Sequence, residues 1–192
     1  PEDRRRVPDN GWLDWLEGKN PGYPVAALQG EFERIRKCSE AMRNDTTTPD
    51  TRLADDPMDK NPASVAALIQ LMLGGLHPGH RGAILNCRLR YFDPVARRAG
   101  VPEGVAALVE ELTPDGTVVT LVNTDQVEPH EVEIQAGGYA EHRFEGARVG
   151  DETVAIDDSH VAVRLAPGAG ARLFLKTRRY ANRPTIMPPW DR

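Results

Sequence analysis

The sequence predicts an α+β chain, with an N-terminal helical segment followed by a small antiparallel β-sandwich. Three observations carry this. Apolar residues recur every three or four positions over residues 25–43. A nearly uninterrupted apolar run then fills 62–73, between Asn61 and the pair Gly74-Gly75. Beyond residue 112 the hydrophobic period changes from helical spacing to two.

The elements follow in order. Residues 1–24 hold charge, proline and glycine around Trp12 and Trp15, with turn chemistry in Asn20-Pro21-Gly22-Tyr23-Pro24. This reads as an arm laid on another surface. Over 25–43, Val25, Leu28, Phe32, Ile35 and Met42 form an apolar stripe, and charged residues fill the rest. That is an amphipathic, half-exposed helix. A long polar loop over 44–60 has no periodicity, and loops of this length are often functional.

The run after it has only Ser64 and Gln70 as polar residues. Asn61 is a fit N-cap, Pro62 suits a first helical position, and Gly74-Gly75 supplies a left-handed stop. A helix apolar on nearly every side must be covered from several directions. It is too short to cross a bilayer. Residues 83–92 alternate as a strand or extended segment, and short helices are expected over 93–100 and 102–112. Strand-like stretches follow at 118–123, 132–135, 138–144, 161–165 and 173–177, split by turns such as Pro167-Gly168-Ala169-Gly170. The expected domains are therefore 1–112, helical with its arm; 113–180, the sandwich; and 181–192, an extended proline-rich tail.

Composition narrows the function classes. A net charge of −5 opposes sequence-independent nucleic-acid binding, which needs a basic face. No stretch is long and apolar enough for a membrane span, so neither nucleic acid nor membrane is an expected partner. The two cysteines, Cys38 and Cys87, form neither a disulfide framework nor a zinc signature. They read as buried thiols of a cytoplasmic protein. The first residues, Pro1-Glu2-Asp3-Arg4-Arg5-Arg6, lack a methionine, which predicts a processed polypeptide or the back part of a longer one.

The candidate chemistry lies in the acidic loop. Asp45, Asp50, Asp55, Asp56 and Asp59 surround Arg52. Neighbouring carboxylates can divide into an acid and a base when burial raises one pKa. Asp50, Arg52, Asp55 and Asp56 are therefore the candidate catalytic residues, at an active-site rim. Helix capping with an Arg52 salt bridge is the structural alternative. The spacing matches no calcium loop. His77 and His80 flank Pro78-Gly79 without a third ligand, so no metal is expected, and they suit the carbonyls that end the apolar helix. Strand alternation would put Glu141 and His142 on opposite faces. No phosphate cradle or other cofactor site is visible.

Several stretches resemble a known design. They are Thr48-Pro49-Asp50-Thr51-Arg52-Leu53-Ala54-Asp55, Asn123-Thr124, Gln135-Ala136-Gly137-Gly138-Tyr139-Ala140-Glu141-His142 and Arg179-Tyr180-Ala181-Asn182. They look like the C-terminal part of large bacterial proteins with a linalool dehydratase/isomerase-like (α/α)6 barrel and a C-terminal β-sandwich. The resemblance implies that the helical segment ends a barrel and that the sandwich buttresses it. The partners would be the rest of the same polypeptide or a partner subunit, and a small-molecule substrate. The barrel's catalytic residues have no counterparts in this sequence. The expected function is a portion or subunit of a lyase, isomerase or glycoside-processing enzyme. The alternatives are a carbohydrate-binding or protein-interaction module, and a non-catalytic subunit tied to its partner by arm and tail.

Overall fold

The structure is a computed structural model that describes residues 10–48, 50–51, 60–63, 65–76 and 84–192. Helices and two antiparallel sheets give an α+β chain. It divides into two compact units, Pro1–Leu68 and Ile69–Arg192. No helix among the described residues is long and apolar enough to cross a membrane.

In the first unit, α1 spans Asn10–Leu16 and α2 spans Tyr23–Arg43. Pro24 sits in the first turn of α2, where its missing N–H costs nothing. The rotation of α2 differs from the sequence expectation. Cys38 is buried and Ala27, Glu31 and Ile35 are half-buried, whereas Val25, Leu28, Phe32 and Met42 of the apolar stripe are exposed. The cause is polar: the Glu31 carboxylate accepts a hydrogen bond from the Ala67 N–H at 3.4 Å, capping the next helix with an anion. That bond keeps a charged residue on the half-buried side of α2.

Helix α3 spans Ala66–Leu73, and the boundary between the units falls within it. It starts later than Pro62, because Asn61 spends its side chain on a local turn, accepting from the Ala63 N–H at 2.9 Å. Ala67, Ile69, Gln70 and Leu71 are buried, while Leu68 stays 41% exposed. Gly74 is left-handed (φ 59°), and the N–H groups of Gly74 and Gly75 donate to the carbonyls of Gln70 and Ile69. The Met72 carbonyl accepts from the Tyr91 hydroxyl and the Leu73 carbonyl from the Arg88 N–H. His77 and His80, expected to engage carbonyls at this end of the helix, lie outside the described residues.

The second unit is a sandwich. Its strands are β1 Leu89–Asp93, β2 Arg98–Ala99, β3 Val105–Leu112, β4 Gly116–Asn123, β5 His130–Ala136, β6 Arg143–Val149, β7 Glu152–Asp158, β8 His160–Leu165 and β9 Gly170–Arg178. One sheet has the order β2-β1-β5-β8 and the other β3-β4-β9-β6-β7. Leu89, Tyr91, Val132 and Ile134 from the first share one core with Val109, Val119, Leu121, Phe144 and Leu175 from the second. The sheets therefore bury each other's apolar faces.

Strand structure begins at Leu89, well before the expected boundary at 112. The helix expected over 93–100 is a turn followed by β2. The Asp93 carboxylate accepts from the N–H groups of Val95 and Ala96, and Arg97 turns the chain at φ 49°. The helix expected over 102–112 is β3. Val105, Ala107 and Val109 face the core in alternation, and a bulge between Val109 and Glu111 then brings Leu112 to the same side. Of the strand expected over 138–144, residues 138–142 form a loop and only 143 and 144 are in a strand, β6; β7 is an exposed strand that alternation did not reveal.

Residues 179–192 lie on the second unit. Trp190 meets Phe92 edge-on, with ring centroids 5.9 Å apart, and lies under the Arg97 guanidinium. Arg192 reaches Asp158 at 2.8 Å and Glu133 at 3.5 Å.

Candidate functional site

The loop 137–142 joins β5 to β6, and its path is set by its own residues. Gly137 has φ 87°, and Ala140, at φ 55°, takes a conformation that costs a residue with a Cβ about 1 kcal/mol or more. The loop is held by hydrogen bonds. The Gly137 N–H donates to the Arg88 carbonyl, Arg90 Nη1 to the Gly138 carbonyl at 3.1 Å, and Gln135 Nε2 to the Gly137 carbonyl at 2.9 Å. Glu141 folds back over Gly137, where a Cβ would collide with its carboxylate. Its Oε2 accepts from the Tyr139 N–H at 2.7 Å.

A second segment locks onto this loop. The N–H of Tyr180 donates to His142 Nδ1 at 3.1 Å, and that of Asn182 to the Glu141 carbonyl at 3.2 Å. Asn182 Nδ2 donates to the carbonyls of Ala140 and His142 at 3.1 and 2.7 Å. The Thr185 N–H donates to the Tyr139 carbonyl. Tyr180 has φ 53° and meets the His142 ring edge-on at 4.8 Å. Two of the stretches that carried the family resemblance, 135–142 and 179–182, are therefore neighbours in space.

Together they line a cleft of about 480 Å³, with Ile84, Leu85, Asn86, Tyr139, Glu141, Tyr180, Asn182 and Pro184 around it. That volume is within the usual range for small-molecule sites. Glu141 and His142 are not separated by strand alternation, because neither lies in a strand; Oε1 and Nε2 are 3.9 Å apart. Since Nδ1 accepts from Tyr180, the ring proton sits on Nε2, facing Glu141. Burial lowers the His142 pKa, against the opposing pull of Glu141.

No family model, curated protein or solved structure matches this chain.

Burial, reinforced by the Glu141 charge, pushes the Cys87 thiol up to about 12, so it stays protonated and is a poor nucleophile. Among the described residues no three His, Cys, Asp or Glu side chains gather as a metal would require. A chain of hydrogen bonds supports the loop from behind. Arg192 Nη1 donates to His160 Nδ1 at 2.8 Å, leaving His160 Nε2–H to donate to Gln135 Oε1 at 3.1 Å. Gln135 then holds the Gly137 carbonyl.

Of the acidic loop, the described residues Asp45 and Asp50 are not among this cleft's lining. Asp50 is exposed, and Arg52, Asp55 and Asp56 lie outside the described residues. Asp45 pairs with Lys60 Nζ at 3.0 Å and accepts from the Thr47 N–H and hydroxyl, the work of a turn and an ion pair. Nothing in the sequence spacing joins Tyr139 and Glu141 to Tyr180 and Asn182; the one signal is that both stretches fall within the same resemblance.

Proposed function

We propose that this chain is the C-terminal portion or a subunit of a bacterial (α/α)-barrel enzyme of the lyase, isomerase or glycoside-processing type, working in the cytoplasm. In this reading the helices meet further helices of the barrel and the sandwich buttresses them. Asp50, Arg52, Asp55 and Asp56 stand at the rim of an active site completed by other protein.

The observation that supports it is the outward stripe of α2. Val25, Leu28, Phe32 and Met42 are 62%, 36%, 59% and 53% exposed along one amphipathic helix. A run of large apolar side chains on one face gains free energy when covered, and packing against helices is the common way to cover it. The two free cysteines fit a reducing compartment. The intact mass and sedimentation of the native polypeptide test the proposal. A longer chain, or a tight hetero-complex, is expected. A polypeptide of this length sedimenting as a monomer sinks it.

A second reading, a carbohydrate-binding or interaction module without chemistry, draws support from the cleft at Glu141 and Tyr180, whose lining holds tyrosines, amides and one carboxylate.

A further inference from the structure

We propose that the cleft between the 137–142 loop and the Tyr180–Pro184 segment binds a neutral polyhydroxylated ligand, a saccharide unit. This gives a ligand class to the second reading above and does not depend on the chain belonging to a barrel enzyme.

The polar groups of the lining favour a donor of hydroxyl protons. Asn182 spends its amide donors on the carbonyls of Ala140 and His142, so its orientation is fixed and Oδ1 is left as an acceptor. Glu141 commits Oε2 to the Tyr139 N–H, while Oε1 stands 3.9 Å from His142, beyond hydrogen-bond distance. The Tyr139 hydroxyl and the Asn86 side chain line the same space and make no hydrogen bond among the described residues. A fixed carboxylate oxygen and a fixed amide oxygen accept well from sugar hydroxyls, and Tyr139 and Asn86 add groups that both donate and accept.

The apolar part of the lining suits the C–H faces of such a ligand. Tyr180 is 66% exposed and Ile84 77% exposed, with Leu85 and Pro184 beside them. Charge argues against an anionic ligand. Glu141 is the one charged side chain of this lining, and Arg179 and Arg88, which are not part of it, oppose its pull on His142. An acid would meet Glu141 with no cation of the lining to offset it. The backbone is also arranged at a cost, with Ala140 of the loop and Tyr180 of the facing segment both at positive φ. Such conformations persist where surrounding contacts over-determine them, and they concentrate at ligand sites.

The test uses the full chain, isotopically labelled and followed by amide chemical shifts, with glucose, cellobiose and N-acetylglucosamine as neutral probes. Spermidine and glucuronate serve as charged probes. The neutral sugars should shift the amides of Tyr139, Tyr180 and Asn182 in a saturable way. Glu141→Gln keeps an acceptor for the Tyr139 N–H and should weaken binding about tenfold, as expected for losing a charged acceptor. Tyr180→Gly, at a backbone angle glycine adopts freely, should remove it while the other amides keep their positions. Lys176→Ala, in the separate cleft on the five-stranded sheet, should bind as the parent does. Three results overturn the proposal: no shift at these amides with any neutral sugar, shifts with spermidine or glucuronate alone, or undiminished binding by Tyr180→Gly.

Discussion

His142 and His160 are buried neutral, and each is held so by a donor aimed at Nδ1. For His142 the donor is a backbone N–H, and for His160 it is the Arg192 guanidinium. Burial first, and then Arg192, lowers the His160 pKa from 6.5 to about 4, against the opposing pull of Asp158. A lowered folded-state pKa means the unfolded chain binds the proton more readily, so stability is intact above pH 6.5 and declines as pH falls towards 4. At 1.36 kcal/mol per pKa unit the loss from His160 is on the order of 3 kcal/mol. Urea midpoints measured between those pH values should fall accordingly, and the His160 ring protons should titrate near the lower one. Gly137→Ala belongs to the same scale. It puts a Cβ against the Glu141 carboxylate at φ 87° and should cost about 2 kcal/mol by chemical denaturation.

Among the elements, β3 shows why a strand read as a helix. Val105, Leu108, Val109 and Leu112 have helical spacing, yet Val109 faces Val119 in a strand pair and the bulge after it resets the alternation. A single inserted residue makes period two imitate period 3.6, and only the pairing with β4 distinguishes them. Helix α2 was legible in extent because twenty-odd residues of clear periodicity leave little ambiguity. Its rotation was not, because the half-buried side carries Glu31, whose long-range bond to Ala67 no local pattern announces. The edge strand β7 turns a single half-buried residue, Ile156, to the core, too little for alternation to show. The cleft was unreadable for a related cause: its two halves lie some forty residues apart and join through backbone groups, which leave no trace in side-chain pattern. Leu121, wholly buried in β4, offers a direct check on the shared core. Leu121→Ala should lower stability by about 3 kcal/mol in denaturant unfolding, with both sheets lost together. If only one sheet loosens, the single-core description is wrong.

For the whole molecule, the two units have different surfaces. The two sheets bury their facing apolar sides in one core, whereas α2 turns Val25, Leu28 and Phe32 outward along one helix. The isolated chain should therefore self-associate at high concentration through that helix. Val25→Ser with Phe32→Ser should abolish the association in analytical ultracentrifugation and leave the sandwich's unfolding transition in place, with any change at those exposed positions within about 0.5 kcal/mol. Association that persists in the double variant would locate the sticky surface elsewhere.

The guanidinium of Arg192 touches Asp158, Glu133 and His160 at once. Its truncation in Arg192→Ala would leave two anions without their shared counter-ion, and the imidazole beside them would become easier to protonate. One lost side chain would thus convert the outside of β5 and β8 into an acid-sensitive surface, detectable as an upward drift of a single ring titration.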